Sequence, residues 1–387
     1  MSKRTPIYDE HIGLGAKMVE FGGWDMPIYY PNGIISEHKA VREVAGLFDA
    51  SHMGEFFIVG PNALDFVQKV SANDASRLAI GQIQYSFLLN DNGGVIDDFL
   101  VYHLGKDIFM FVVNAGNIEK DWQWLKAREM TGVKFYDVSD ETALLALQGP
   151  KAREIMYSVL GESFAKGIAL SPFEPVMSLA LLPYYNFSYS EIDGKFILIS
   201  RTGYTGEDGF EIFCHSEDAA IIWRILLEKG KDYGLIPCGL GARNTLRLEA
   251  GMPLWGHELS EDRIVFDANL GRFIGWNKKE DFIGKSALIY SKKSTCNQFF
   301  VGLTMDSRQE FSTPIARDGY EVYDSEGKDK IGSVTSGAPS PTLGKNIAMA
   351  YIGAHRNNHF KKVTVKIRDN YCLATIVSLP FYRREKK

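Results

Sequence analysis

Short apolar segments separated by turn residues recur along this chain, and they do not alternate regularly with helices. In the clearest example, strands are predicted over 85–89, 95–104 and 108–114. Turn-forming residues occupy both joints, at 90–94 and 105–107, so we expect adjacent antiparallel pairing of these strands. A doubly wound parallel sheet would need a helix between successive strands, and the pattern lacks one. The strand spacing therefore favours an α+β fold class.

The pattern changes after about residue 286, where short strands follow one another with turn residues between them. Residues 362–368 alternate strictly between polar and apolar side chains, which is typical of a strand with one buried face. The strands predicted here are 299–304, 320–323, 331–335, 348–352, 363–367 and 373–378. We therefore expect the C-terminal part of the chain to form an all-β barrel or sandwich.

Length and charge exclude several classes of protein. The chain has 387 residues, which at roughly 150 residues per domain predicts two or three domains. Its net charge is -5, whereas a nucleic-acid-binding domain would be basic, so no nucleic-acid partner is expected. No apolar run approaches the length of about 18 residues that crosses a membrane, and the polar N-terminus lacks the apolar core of a signal peptide. We expect a cytoplasmic protein without membrane attachment, and a mature mitochondrial form fits the same sequence.

Motifs for metal or nucleotide binding are weak. The widely spaced cysteines form no CxxC pair and are expected to be reduced thiols. They are Cys214, Cys238, Cys296 and Cys372. His355 and His359 have no neighbouring cysteine or carboxylate cluster, so no metal site is expected. The segment 239–244 resembles the start of a dinucleotide fingerprint, but Asn244 stands at the third glycine and no strand–helix–strand unit follows.

Two adjacent acids, Asp97 and Asp98, follow Gly93 and Gly94 on a strand that is otherwise apolar. Side chains alternate along a strand, so the two carboxyls are expected on opposite faces, and one of them enters the apolar side. A buried acid costs free energy unless it is paired or functional, and its proton affinity is then shifted. The residues alone leave two interpretations open: a turn-capping role, which is common for Asp, and a functional acid.

Arg243 and Arg247 lie four residues apart on a helix predicted over 242–250. At that spacing both guanidinium groups share one helix face and repel each other modestly. No acid lies on that face, since Glu249 points elsewhere. Each arginine therefore either pairs with a carboxylate distant in sequence or binds an anionic or amide-rich ligand.

The loop over 201–209 is longer than a hairpin needs, because two residues suffice to join antiparallel strands. Its three glycines allow close approach of the backbone to another group. Tyr204 and the nearby Glu211 can stack on and hydrogen-bond a planar ring. The alternative interpretation is a long, exposed hairpin tip.

Taken together, these segments resemble the T-protein family of the glycine cleavage system, the tetrahydrofolate-dependent aminomethyltransferases. The resemblance covers residue 5 to about 352 in family order, and the ending PFYRR also fits. The stretches that carry it are TPIYDEHIGLGAKMVEFGGWDMPIYY, GLFDASHMGE, NDNGGVIDDFLVY, VVNAGNIEKD, ALQGPKAR, RTGYTGEDGFEI, PCGLGARNTLRLEAGMPLWGHEL, DFIGKSAL and TSGAPSPTLGKNIAMAYI.

The resemblance implies an α+β protein built as a three-domain cloverleaf around a central folate channel. Two interleaved α+β domains would be followed by a C-terminal β-barrel domain. The first domain would combine 1–50 with 140–250, and the second would combine 51–139 with 251–285 and carry Asp98. The barrel would occupy 286–387.

The resemblance also implies a reaction and its residues. The methylene carbon of an aminomethyl group on the lipoyl arm of H-protein would pass to tetrahydrofolate, with release of ammonia. The essential acid of the family falls on Asp98, while Glu211 and Arg243 fall on positions that hold the amide-like edge of the pterin. The folate-binding positions are Met53, Tyr85, Asp98, Tyr102, Val113, Asn114, Tyr204, Glu211, Arg243 and Tyr382. No metal is implied.

Two departures and two alternatives accompany the resemblance. Asn244 stands where the family usually has Asp, and 260–266 lacks the Ser/Asn-Pro pair commonly found there. The same fold serves dimethylsulfoniopropionate demethylases and the folate domains of sarcosine- and dimethylglycine-oxidising enzymes, so another one-carbon reaction stays open. A related folate-binding group linked to iron–sulfur assembly carries a KGCYxGQE motif, which is absent here.

Overall fold

Helices and strands follow one another in mixed order, which confirms the α+β class. The computed structural model describes residues 2–161, 178–293, 298–306, 314–353 and 361–384. The α-helices are α1 (Tyr8–Gly13), α2 (Gly33–Glu43), α3 (Ala63–Val70), α4 (Ile118–Lys126), α5 (Ala152–Leu160), α6 (Ala219–Gly230), α7 (Leu240–Glu249) and α8 (Lys285–Lys293). None of these helices is long and apolar enough to cross a lipid bilayer.

The strands build a small sheet, two larger sheets and a barrel. Those before the barrel are β1 (Lys3–Arg4), β2 (Lys17–Phe21), β3 (Trp24–Tyr29), β4 (Gly46–Asp49), β5 (Gly54–Val59), β6 (Ile83–Leu89), β7 (Val95–Gly105), β8 (Ile108–Val113), β9 (Lys134–Asp137), β10 (Thr142–Gln148), β11 (Phe187–Ile192), β12 (Lys195–Ser200), β13 (Gly209–His215) and β14 (Ile236–Cys238). Those of the barrel are β15 (Gln298–Met305), β16 (Glu321–Tyr323), β17 (Lys330–Ser340), β18 (Lys345–Gly353), β19 (Lys362–Ile367) and β20 (Asn370–Val377).

The five-stranded sheet contains the predicted meander. Its order is β6-β7-β8-β5-β9, and all neighbours are antiparallel. Helices α3 and α4 cover one face, where Phe66, Val67 and Leu125 are fully buried in an apolar core with strand residues such as Phe111. The other face of the sheet is therefore free to pack against a different part of the chain.

The six-stranded sheet joins segments that are far apart in sequence. Its order is β11-β12-β13-β10-β4-β14, in which β4 and β14 are parallel and the other neighbours antiparallel. Strand β4 precedes the whole five-stranded sheet, whereas β10 follows it, and Asp49 pairs with Leu145 across that gap. The chain thus leaves this sheet, builds the other one and returns.

Strands β15 to β20 close into a barrel in the order β15-β18-β17-β16-β19-β20. Apolar residues of alternating strand positions fill its interior, among them Leu303, Val334, Ala350 and Val365, which are almost completely buried. Of the two architectures predicted for this part of the chain, the barrel is the correct one, because β15 pairs with β20 and leaves no open edge.

The two larger sheets pack against each other through a shared apolar cluster. Tyr102, Met110 and Val112 come from the five-stranded sheet, while Leu144 and Phe213 come from the six-stranded sheet. Side chains alternate along a strand, so each sheet has one face covered by its own helices and an opposite face. The residues of this cluster come from the opposite faces. The packing brings the ends of β7, β8, β10 and β13 to one place.

Helix α7 links the two sheets to the barrel through buried ion pairs. Arg247 is 2% exposed and donates from Nη1 to Glu258 at 3.0 Å and from Nη2 to Ser336 on β17 at 2.7 Å. Glu249 likewise accepts hydrogen bonds from Arg42 on α2 and from Thr342, which lies between β17 and β18. The sequence left two roles open for Arg247, and the structure decides for the distant carboxylate.

We predict that Arg247→Met strongly destabilises the protein. Truncation would leave the fully buried Glu258 without its cation, and breaking a buried pair in this way costs about 3–5 kcal/mol. The matched control is Arg224→Met, because Arg224 pairs with Glu10 but its side chain is 66% exposed, and exposed pairs contribute about 0–1 kcal/mol. Urea-induced unfolding compares the two variants, and equal losses of unfolding free energy would contradict the buried-pair argument.

Candidate active site

A cavity of about 360 Å³ opens where the two packed sheets meet α7 and the segment that follows it. Most of the residues predicted to bind a ligand lie on its wall, although they come from six separate parts of the chain. They are Met53, Tyr85, Asp98, Asn114, Tyr204, Glu211 and Arg243. These predicted residues alone bring two acids, a guanidinium, two phenols and an amide to one enclosure.

Three predicted residues are not part of this wall. Val113 and Tyr102 are fully buried and point into apolar clusters, and on β8 it is the neighbouring Val112 that reaches the cavity. Tyr382 stacks on Arg42, with the guanidinium carbon 4.0 Å from the ring centroid. Strand alternation explains the case of Val113, because adjacent residues face opposite sides of a sheet. Tyr102 instead shares a face of β7 with Asp98 and lies four residues further along the strand, among the side chains between the two sheets.

Asp98 on β7 is held by two donors on neighbouring strands. The hydroxyl of Tyr85 on β6 donates to Asp98 Oδ2 at 2.8 Å, and Asn114 Nδ2, just after β8, donates to Asp98 Oδ1 at 3.1 Å. The hydroxyl of Tyr85 keeps its proton, because burial and the charge of Asp98 raise the Tyr85 pKa well above its ordinary value. The carboxyl is thus fixed in orientation while it lines the cavity.

The environment of Asp98 raises its pKa towards neutral pH. Burial and then the neighbouring charge of Asp97 raise the pKa of Asp98 to about 7, although the hydrogen bonds from Tyr85 and Asn114 oppose the shift. A carboxyl with a pKa near the working pH can both accept and release a proton, which is what acid–base catalysis requires.

The turn-capping interpretation of Asp97 and Asp98 is wrong. Asn90 caps that turn, since its Oδ1 accepts hydrogen bonds from the backbone N–H groups of Asn92 at 3.0 Å and Gly94 at 2.9 Å. The turn is complete without the two acids, and this leaves them free for a role on the strand.

The long loop over 201–209 is part of the cavity wall and not an exposed tip. Thr202, Thr205 and Glu207 are each less than 5% exposed. A Cβ at Gly203 would lie 2.0 Å from Gln148 Oε1, so a residue without a side chain is needed for this close approach. The loop folds back against β10 and thereby carries Tyr204 to the cavity.

A chain of hydroxyls orients Glu211. Thr202 Oγ1 donates to Glu211 Oε2, Ser200 Oγ lies 2.7 Å from Thr202 Oγ1, and the Tyr102 hydroxyl lies 3.2 Å from Ser200 Oγ. Burial raises the pKa of Glu211, while the hydrogen bond from Thr202 and the charge of Arg243 oppose this. Tyr102 thus helps to orient Glu211 from behind the cavity wall, through the hydroxyls of Ser200 and Thr202.

Arg243 has no counter-ion in direct contact. Its guanidinium carbon lies 4.7 Å from the ring centroid of Tyr204, but the guanidinium makes neither an ion pair nor a hydrogen bond with any side chain of the described residues. Burial is the main reason for the lowered pKa of Arg243. Its donors face the cavity, which favours the ligand interpretation for this arginine.

Asn244 replaces the acid that the family usually carries, and its side chain turns away from Arg243. Its Oδ1 accepts a hydrogen bond from Arg247 Nε at 3.0 Å. The neutral amide therefore supports Arg247 without adding a charge beside the cavity.

Several wall residues were not singled out from the sequence. Tyr185, Trp255, Arg272 and Phe273 all line the cavity, and Arg272 is the exposed cation among them. Trp255 lies in a stretch that carries the family resemblance, whereas Arg272 had no distinguishing pattern around it. The sequence offers Arg243, Arg247, Arg383 and Arg384 as cations for an anionic ligand tail. Of these, Arg247 pairs with Glu258 and Arg384 lies 3.7 Å from Asp208, whereas Arg243 lines the cavity.

No cluster of metal-ligating side chains occurs in the part of the chain that the structure describes. Cys214, Cys238 and Cys372 are free thiols. Cys296, His355 and His359 lie outside the described residues, so the structure does not bear on them.

Comparison with known proteins defines the class to which this fold and cavity belong. The model of the GCVT N-terminal domain matches residues 7–278, and that of the glycine cleavage T-protein C-terminal barrel domain matches residues 299–383. The chain belongs to the aminomethyltransferase family of glycine cleavage T-proteins.

Relatives match along the whole chain. An aminomethyltransferase of Symbiobacterium thermophilum is 48% identical over 98% of this chain and 97% of its own length. That of Bacillus subtilis is 42% identical over 99% of this chain and 100% of its own. The crystal structure of the glycine cleavage system aminomethyltransferase T from Bartonella henselae superposes with a TM-score of 0.87 at 34% identity, covering all of both chains.

We predict that Asp98→Asn stabilises the folded protein at pH 8 but not at pH 4. The folded-state pKa of about 7 lies above the unfolded value of 3.8, so protonation favours folding below pH 4 and this contribution is lost as the pH rises through 7. Asparagine does not titrate, and we expect a gain of about 1–3 kcal/mol at pH 8. Urea unfolding at both pH values measures it.

The matched control for this prediction is Asp140→Asn, because the Asp140 side chain is 81% exposed. That variant should follow the wild-type pH dependence. A gain for Asp98→Asn that is the same at pH 4 and pH 8 would show that the carboxyl is not the titrating group.

Proposed function

We propose that this chain transfers the methylene carbon of an aminomethyl group, carried on the dihydrolipoyl arm of H-protein, to tetrahydrofolate with release of ammonia. The observation that carries the proposal is the cavity itself. One wall presents the Asp98 carboxyl, and another presents Glu211 and Arg243, whose polar groups suit the edge of a planar heterocycle. The full-length relatives named aminomethyltransferase support the same reaction.

In this proposal Asp98 is the catalytic residue. Its carboxylate lies where positive charge develops on the transferred carbon as ammonia departs, and a fixed negative charge in a partly dry cavity stabilises such charge strongly. With a pKa of about 7, the same carboxyl can take up or return the proton that moves during the transfer. Tyr85 and Asn114 hold it in one orientation throughout.

Glu211 and Arg243 would bind the pterin ring of tetrahydrofolate through hydrogen bonds. A carboxylate pairs with the ring's amino and ring N–H groups, and the planar guanidinium offers donors to its carbonyl oxygen and ring nitrogens. Tyr204, whose hydroxyl is fixed by the carbonyl of Pro253, supplies an aromatic face beside Arg243. Met53 adds an apolar contact to the same wall.

The glutamate tail of the folate would extend towards Arg272. This arginine lines the cavity yet is exposed, with its guanidinium carbon 4.6 Å from the ring centroid of Phe273. It forms no ion pair with a carboxylate of the described residues, so it can bind one from the ligand. A local cation of this kind reconciles a polyanionic ligand with the net charge of -5 for the whole chain. Tyr382 lies against Arg42, away from the cavity lining, and a role at the tail would require it to move.

The partner supplying the aminomethyl group would be the lipoyl-carrying H-protein, and the reaction is expected in the cytoplasm. The free thiols of Cys214, Cys238 and Cys372 agree with a reducing compartment.

We predict that Asp98→Asn reduces methylene transfer by at least about 100-fold while tetrahydrofolate binding stays within a few-fold of wild type. The carboxylate charge acts mainly on the transition state, and loss of one such group typically costs 10²–10³ in rate. The measurement is single-turnover transfer from aminomethylated H-protein, with binding followed separately by calorimetry under anaerobic conditions.

The control for the transfer assay is Asp140→Asn, which should keep the wild-type rate. Parallel reactions with dimethylsulfoniopropionate and sarcosine as carbon donors test the alternative one-carbon enzymes of this fold. Unchanged transfer by Asp98→Asn, or faster reaction with either alternative donor, would contradict the proposed function.

We predict that Arg243→Ala weakens binding of both tetrahydrofolate and the tail-free tetrahydropterin by about 10-fold or more, since a charge-assisted hydrogen bond contributes about 1.5–3 kcal/mol. The matched variant Arg272→Ala should weaken binding of tetrahydrofolate alone. Calorimetric titration of both ligands distinguishes the two arginines. If Arg243→Ala affected only the ligand that carries the glutamate, the guanidinium would serve the tail and not the ring.

A further inference from the structure

A second acid, Asp97, lies behind Asp98 and is more completely buried. It accepts hydrogen bonds from the backbone N–H of Asn114 at 3.0 Å, from Asn114 Nδ2 at 2.9 Å and from Asn117 Nδ2 at 2.6 Å. Three N–H donors of this kind favour the ionised form of a carboxyl. The proposed reaction does not by itself use Asp97, so its cost of burial calls for a separate explanation.

A third acid, Asp121 on α4, lies close enough to Asp97 for the two carboxyls to shift each other's pKa. It is 0% exposed, and neither of its carboxyl oxygens accepts a hydrogen bond from an N–H or O–H donor of the described residues. The adjacent Lys120 does not provide one, because its Nζ donates instead to the carbonyl of Ile96 at 2.8 Å and to Glu261 at 3.1 Å.

Two buried carboxyls in contact cannot both be ionised, so the pair must hold one proton. Asp121 is the group that keeps it, because three N–H groups donate to Asp97 and none of the described residues donates to Asp121. In agreement with this geometry, burial and then the charge of Asp97 raise the pKa of Asp121. Burial also raises the pKa of Asp97, but the hydrogen bonds from Asp121, Asn114 and Asn117 oppose that shift. Asp121 therefore carries the proton, and Asp97 stays negative with three N–H donors around it.

The carboxyls of Asp97 and Asp98 are held close together by one shared hydrogen-bond donor, so the charge of Asp97 acts directly on Asp98. Asn114 Nδ2 donates to Asp97 Oδ1 at 2.9 Å and to Asp98 Oδ1 at 3.1 Å, so one amide group holds both carboxyls in fixed relation. The other titratable groups that face Asp98 are the hydroxyls of Tyr85 and Tyr204 and the guanidinium of Arg243. Among these groups the only cation is Arg243, which opposes the effect of Asp97.

We propose that Asp97, kept ionised by the protonated Asp121, is a positioning residue that controls the proton on Asp98 during methylene transfer. The fixed negative charge makes it costly for Asp98 to ionise, so that Asp98 retains a proton at pH values where an ordinary aspartate has lost it. When a positive charge develops on the transferred carbon, the cost falls and Asp98 passes its proton to the nitrogen that leaves as ammonia. This inference rests on the proposed function only in the role that it gives Asp98.

The test is a titration of Asp98 in the free protein by carbon-13 carboxyl NMR, which needs no substrate. In Asp97→Asn the midpoint for Asp98 should move down by about one pH unit or more, because the neighbouring charge is gone. The matched control is Asp121→Asn: the amide is neutral like the protonated acid that it replaces, so Asp97 stays ionised and the Asp98 midpoint should hardly move. An unchanged midpoint in Asp97→Asn, or equal shifts in both variants, would overturn the proposal.

The double variant Asp97→Asn/Asp121→Asn guards against misfolding of the single one, since two amides can hydrogen-bond to each other without charge. It should show the same downward shift of the Asp98 midpoint. The wild-type spectrum provides an independent check, because at pH 7 the carboxyl carbon of Asp97 must have the shift of an ionised group and that of Asp121 the shift of a protonated one. A protonated Asp97 would refute the proposal.

The pH dependence of the transfer rate then tests whether the proton on Asp98 takes part in the reaction. Its limb governed by Asp98 should move to lower pH in Asp97→Asn by the same amount as the NMR midpoint, and stay in place in Asp121→Asn. If the NMR midpoint shifts while no variant or wild-type protein transfers the methylene group, the proposed function fails and the charge relation between Asp97 and Asp98 stands. If transfer occurs and its profile does not follow the midpoint, the positioning role is rejected.

Discussion

Apolar packing between the five-stranded and six-stranded sheets is the interaction on which the rest of the structure depends. Each fully buried side chain in that layer, such as Tyr102 and Leu144, contributes about 1.5–3 kcal/mol. The layer also brings together strand ends from both sheets, so the cavity wall is assembled from residues far apart in sequence. If the layer loosened, Asp98 and Glu211 would lose their fixed separation before either lost its own hydrogen bonds.

Polar groups in and behind this layer are arranged so that few charges are left uncompensated. Arg247 meets Glu258, Arg42 meets Glu249, and each of these pairs is hydrogen-bonded to a further element. Asp98, Glu211 and Arg243 differ from these pairs, because none of the three has a salt-bridge partner among the described residues and all three line the cavity. Buried charges without partners are costly, so their persistence at one place marks a binding site more clearly than the cavity volume does.

Local patterns in the sequence were sufficient to predict those elements whose structure depends on residues nearby in the chain. The meander around 90–94 and the barrel strands were predicted correctly because turn residues and strand alternation act over a few residues. Local patterns failed where alternation or pairing depended on distant elements. The spacing of the arginines on α7 left the partner of Arg247 undecided, because Glu258 lies outside that helix. The family resemblance placed Val113 at the site, whereas the structure has the side chain of the adjacent Val112 on the cavity wall. The division into three domains with the proposed boundaries stays a prediction.

The sequence by itself determined the fold class, the order of strands in the meander and the family. It also identified Asp98 as a candidate functional residue, because an acid on an apolar strand is unusual whatever surrounds it. Only the tertiary structure decided which of the two adjacent acids faces the cavity, which arginine lacks a carboxylate partner among the described residues and which acid lies next to Asp97. Those outcomes depend on burial and on the donors within a few ångströms. Both are properties of the packed molecule, since they are supplied by residues up to hundreds of positions away in the chain.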